Sequence, residues 1–148
     1  MVTQLNFEPL PQLAELIADE GNERTFYVND FECRAIRMNH PWAGYINGYI
    51  KVPSTHPWWG KDIDQLDDVS VHGGVTYSQP GLHTGRGDEK GWWVGFDTAH
   101  WMDLNPCKLP DGIEIGDPAE FQTYRNMEYV IEQLLSLVQQ ATAAADEK

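Results

Sequence analysis

This chain of 148 residues predicts an α+β fold: a single domain in which an antiparallel sheet is packed by a long C-terminal helix and a short N-terminal helix. Two observations carry that class. Near the C-terminus, Phe121, Tyr124, Val130, Ile131, Leu134, Leu135 and Val138 follow one another at helical spacing. Upstream, "VSVHGGVTYS" and "GWWVGFD" are the two clearest strands, joined by a loop with glycines at 81, 85, 87 and 91. The length is one domain's worth, enough to bury a core without staples. The domain is expected to span residues 1–148, with about 1–8 and 141–148 flexible.

In chain order, "PLPQLAELIADEGN" predicts a short helix with Leu13, Leu16 and Ile17 on one face, prolines at its start and Gly21 as its C-terminal cap. "RTFYVNDFECRAIRMN" alternates as a strand, with Phe31, Cys33 and Ala35 on one side and Glu32 and Arg34 on the other. "WAGYINGYIKVP" is β-rich, and its Asn47-Gly48 is either a tight hairpin turn or a pause before the next strand. "HPWWGKDIDQLDD" is a loop with one helical turn. Asp117, Pro118 and Glu120 match an N-cap, a first-turn proline and the acid of a capping box, so the long helix is expected to start there, and "ATAAADEK" to fray.

Composition narrows the function classes. The net charge of −13, spread evenly along the chain, repels nucleic acid and fits an acidic solubilising surface. No window approaches a membrane span, and the first residues lack the basic and apolar regions of a signal peptide. Only Cys33 and Cys107 are present, which excludes a disulfide framework and a zinc ribbon. A cytoplasmic location follows as the expectation, with no nucleic acid and no membrane as partners and homo-oligomer formation left open.

Candidate chemistry gathers around three histidines. On a strand, His72, Thr76 and Ser78 would share one face, with Val71, Val75 and Tyr77 on the other. In "GWWVGFDTAHWMD", Asp97, His100 and Asp103 are spaced by three; a helical turn after Phe96 would line them along one side. Carboxylate and imidazole together suit a divalent metal, with His72, Asp97, His100 and Asp103 as ligands, or general acid–base catalysis by His72, His100 and Asp97. The plainer alternative has Asp97 capping a turn and His100 bonded to backbone. Five of the six tryptophans flank histidines: Trp58, Trp59, Trp92, Trp93 and Trp101. Adjacent residues on a strand point to opposite faces, so one of Trp92 and Trp93 should line a cleft or face outward. Arg86 in "QPGLHTGRGDEKG" is a cation against an acidic background and suits an anionic ligand.

"VPSTHPWWGKDID", "VHGGVTYS", "WWVGFDTAHWMD" and "YRNMEYVIEQLLSLVQQ" resemble an uncharacterised family of small phage- and prophage-encoded proteins, marked by HGGxTYS and WWxGFDxAHxxD. The resemblance covers about residues 44 to 140 and transfers no catalytic residues. It departs at Thr98 and Trp101, which leaves the polar set intact and makes Trp101 a local feature. It implies a phage context, in which small proteins bind signalling nucleotides or block host defence proteins, in the host cell cytosol.

The leading expectation is therefore a small-molecule binding protein that sequesters a nucleotide-type, phosphate-containing ligand. His56, Trp59, His72, Thr76, Ser78, Arg86, Trp93, Asp97 and His100 would form its site. A metal-dependent hydrolase built on the His/Asp cluster and an acidic inhibitor acting by protein–protein contact are the alternatives. Convergence of His72, Asp97 and His100 in space is expected under the first two.

Overall fold

The computed structural model describes residues 5–82, 91–108 and 121–147. The predicted helix start at Asp117, Pro118 and Glu120, most of the glycine-rich loop between Gly81 and Gly91, and Arg86 within it lie outside the described residues.

The fold is α+β. A five-stranded antiparallel sheet contains β2 (Glu23–Val28), β3 (Phe31–Arg37), β4 (Ile46–Val52), β5 (Tyr77–Pro80) and β6 (Trp92–Phe96), in the order β2-β3-β4-β6-β5. A two-residue pairing joins β1 (Glu8–Pro9) to β7 (Cys107–Lys108). The short helix α1 (Ala14–Glu20) ends at Gly21, whose φ of 78° is the left-handed geometry glycine adopts without a steric penalty. The long helix α2 (Met127–Asp146) packs across β3 and β4. Among the described residues no helix is long and apolar enough to cross a membrane.

Alternation decides the two sheet faces. Phe31, Cys33 and Ala35 of β3, Ile46, Ile50 and Val52 of β4, and Val94 and Phe96 of β6 face α2. They meet Met127, Val130, Leu134, Leu137, Val138 and Ala141 of the helix in one core. The opposite face buries Ile36, Tyr49, Tyr77, Leu82 and Trp93. Both faces are thus covered at β6, which corrects the expectation of an outward or cleft-lining tryptophan: Trp93 is fully buried, and Trp92 is half-buried against the helix-side core.

Four further expectations are revised. The stretch at 24–39 is a hairpin of β2 and β3, turning at Asn29 and Asp30 with φ of 49° and 68°; two left-handed residues match the twist of paired strands. Asn47-Gly48 is no turn. It lies inside β4, where a Cβ on Gly48 would meet the Phe96 ring at 2.6 Å and Leu134 at 3.1 Å. "VSVHGGV" is not a strand, because Gly73 and Gly74 at φ of 67° and 82° bend it, and Gly74 N–H closes a turn onto Val71 C=O at 2.8 Å. His72, exposed Thr76 and Ser78 therefore share no strand face. Finally, α2 begins at Met127, where the Asn126 side chain accepts the Tyr129 N–H at 2.8 Å. Phe121 and Tyr124 precede the helix, which continues through Asp146 with Ala141 fully buried rather than fraying from 141.

The segment before α2 is held at both ends. Buried Arg37 donates to Glu20, Asn22, Gly44 C=O and the Tyr124 hydroxyl, while Glu20 accepts from Tyr124 and, at 3.1 Å, from the Met127 N–H. Downstream of β6, Leu104 N–H reaches Thr123 C=O at 2.8 Å and Thr123 N–H reaches Met102 C=O at 2.9 Å. Residues 102–104 consequently run side by side with the chain at Thr123.

Candidate metal centre

Three chain segments meet at the end of β6. The loop carrying His72 is docked on α2 by a polar stripe: Gln133 accepts the His72 N–H at 2.9 Å, and Gln140 exchanges two backbone bonds with Ser70. Tyr129, one turn above Gln133 on the same stripe, places its hydroxyl 2.6 Å from His72 Nδ1. That leaves His72 Nε2 directed at Asp103, 2.9 Å from each carboxylate oxygen.

Asp103 is the hub. Its side chain is almost wholly buried, yet it accepts from His72, from Arg125 Nε at 2.9 Å and from the His100 N–H at 3.0 Å. Burial pushes its carboxyl pKa up, but the hydrogen bonds from His72, Arg125 and the His100 backbone outweigh burial and hold it below the ordinary carboxylate range. Asp103 is thus ionised at neutral pH. Arg125 is fixed in turn by its guanidinium lying 4.9 Å over the Tyr129 ring.

His100 closes the cluster. The chain after Phe96 makes two successive turns rather than a helix. Asp97 accepts the Ala99 N–H at 3.0 Å, and Asp103 N–H bonds His100 C=O at 2.9 Å. Even so, the spacing of three brings the groups together. His100 Nδ1 lies 3.4 Å from Asp97 Oδ1 and 3.4 Å from Asp103 Oδ2, and its ring is 5.7 Å from that of His72. Gly73 makes the approach feasible, since a Cβ there would collide with the His100 ring. His100 Nδ1 is buried and makes no hydrogen bond, with a carboxylate oxygen of Asp97 and one of Asp103 each 3.4 Å away.

Donor atoms of His72, His100 and Asp103 all lie within 4.8 Å of one another. Two ligands of a tetrahedral zinc with bonds of about 2.0–2.1 Å sit about 3.3–3.4 Å apart; the His100–Asp103 separation of 3.4 Å matches that edge, and the 2.9 Å His72–Asp103 hydrogen bond would give way to the ion. The hydroxyl of Tyr129 can accept from His72 Nδ1, the outer hydrogen bond that orients a ligating imidazole.

The expected convergence of His72, Asp97 and His100 is therefore observed, with Asp103 at its centre. The remaining candidates lie elsewhere. His56 is buried, with Nδ1 accepting the Trp58 N–H at 3.0 Å and Nε2 2.8 Å from Ala141 C=O. Ala141 is twelve residues beyond Tyr129 on α2, about 18 Å along the axis. Trp93 fills the far face of the sheet. Ser78 bonds Lys61 C=O and the Trp92 indole, whose ring is 5.9 Å from that of Trp59. Thr76 is exposed, its backbone N–H paired with Gly95 C=O. Arg125, Tyr129, Gln133 and Gln140 were missed by sequence reasoning. The signal for the last three was a polar stripe at 129, 133 and 140 beside the apolar face of α2.

No protein-family model, curated protein or solved structure matches this chain.

Proposed function

We propose that the protein is a metal-dependent hydrolase with one divalent transition ion, of zinc type, held by His72 Nε2, His100 Nδ1 and Asp103. One observation carries this reading: three donor atoms within 4.8 Å of one another, one of them buried without a hydrogen bond. Three protein ligands leave the fourth tetrahedral position for water. Asp97, 3.4 Å from His100 and about a third exposed, would serve as general base. A bound ion of this kind would supply an acidified water, and Asp97 would take that water's proton as its oxygen bonds to the substrate's electrophilic centre. The bond to the leaving oxygen breaks, and that oxygen recovers the proton from Asp97. The nucleotide cleft expected from sequence has less support, because His56 and Trp93 are buried in separate places.

Equilibrium dialysis against zinc, read by elemental analysis, tests the centre. Wild type should retain one zinc per chain, and His100→Ala should lose at least 100-fold in affinity, more than an outer-shell change removes. The His100 side chain makes no hydrogen bond among the described residues, so this variant should fold, with an unchanged circular dichroism spectrum. A wild-type chain that holds no zinc, or a His100→Ala chain that holds it undiminished, overturns the reading.

A further inference from the structure

Beside the candidate metal centre lies an aromatic pair that is exposed among the described residues. Trp101 is 72% exposed and Phe121 57%, their rings 5.4 Å apart and tilted by 55°. Exposed Met102 lies between Trp101 and the centre in sequence. Large rings left in water cost free energy unless something covers them. Their backbones are not loose: Gln122 Nε2 donates to Trp101 C=O at 3.3 Å, and Thr123 N–H donates to Met102 C=O at 2.9 Å. The pair is a held surface, not a frayed end.

Its position narrows what covers it. Trp101 directly follows His100 and is two residues from Asp103, at most about 7 Å of chain. Phe121 and Arg125 belong to one segment, and Arg125 is bonded to Asp103. Charge narrows it further. The whole chain carries −13, yet Asp97, Asp103 and Arg125 with a bound dication leave the centre itself with one net positive charge. An anion is repelled by the net charge of the protein at large, and a centre holding a dication would attract it.

We infer that Trp101 and Phe121 form a stacking platform for the planar ring of a phosphate ester, such as a nucleoside monophosphate, whose phosphate binds the metal centre. The inference rests on the proposed hydrolase and names its substrate class. A base on an aromatic ring is a sequence-tolerant contact, so the platform selects for a ring and the metal for a phosphate. Each end alone binds weakly, and the two linked bind more tightly than either.

Calorimetric titration of the zinc-loaded protein with AMP, adenosine and inorganic phosphate separates the two ends. AMP should bind at least 10-fold more tightly than adenosine or phosphate. The Trp101→Ala/Phe121→Ala double variant should lose about 10-fold or more in AMP affinity, since stacking is worth that much per base. It should keep its zinc stoichiometry and its affinity for inorganic phosphate. An unchanged AMP affinity in the double variant overturns the platform. So does a wild-type dimer that the double variant converts to monomer while neither binds AMP, because the rings then serve an interface between copies. A wild type that takes no zinc sinks the metal centre alone; adenosine binding without metal then decides the platform, and its persistence in the double variant overturns it.

Discussion

Two histidine neighbourhoods dock on α2, and they spend their ring nitrogens differently. His56, at the Ala141 end, satisfies both: one accepts the Trp58 N–H and the other faces the Ala141 carbonyl. His72, at the Tyr129 end, is also paired twice, but its partners are side chains, and beside it His100 Nδ1 is left with no hydrogen bond. His56 and His100 both sit close to tryptophans in sequence, so residue context does not separate staple from site. A histidine tied to backbone groups of its own fold is a staple with nothing to offer a ligand. A pair of imidazoles gathered on one buried carboxylate has coordinating capacity to spare.

The largest test of that contrast is His56→Ala. It removes two buried hydrogen bonds, leaving the Trp58 N–H without its partner and the Ala141 carbonyl with only its helical one, and it empties the space of a buried ring, so unfolding free energy should fall by about 2–5 kcal/mol. Zinc affinity should be unchanged. Urea denaturation with a parallel zinc titration checks both; a His56→Ala protein of wild-type stability removes the staple from the comparison.

Gly73→Ala comes next. It places a Cβ in the His100 ring at a backbone φ of 67°, which costs about 1–3 kcal/mol in strain. The ring must also move, so zinc affinity should fall along with stability. Loss of stability with full zinc affinity would show that His100 need not hold its observed place to bind metal.

The smallest effect on the fold, and the sharpest on chemistry, is expected from Asp97→Asn. Asparagine caps the turn at Ala99 nearly as well as aspartate, so stability should stay within about 0.5 kcal/mol. It accepts no proton at neutral pH, so hydrolysis of p-nitrophenyl phosphate by the zinc-loaded protein should fall about 100-fold or more. Wild-type turnover in this variant would return Asp97 to the role of a cap.

Period and punctuation in the sequence determined a good deal. Alternation at Phe31, Cys33 and Ala35 placed the right side chains toward the core, Gly21 ended α1, and Val130, Leu134 and Val138 marked the buried face of α2, although Leu135 of the same series is exposed. These are local effects: a repeat of two or 3.6 residues, or one residue's freedom at positive φ, acts within a few positions. The DxxHxxD spacing likewise brought Asp97, His100 and Asp103 within reach of one another, although through two turns and not a helix. Tertiary structure alone decided the rest. That Trp93 is core depends on a second covered sheet face, which no strand records in its own alternation. That His72 is bent out of a strand toward Asp103, 31 residues away, depends on Tyr129 and Gln133 meeting it from a helix more than 50 residues further on. Which histidine becomes a staple and which gathers on a carboxylate is set by the groups other segments deliver to its ring nitrogens, and those groups are distant in the chain.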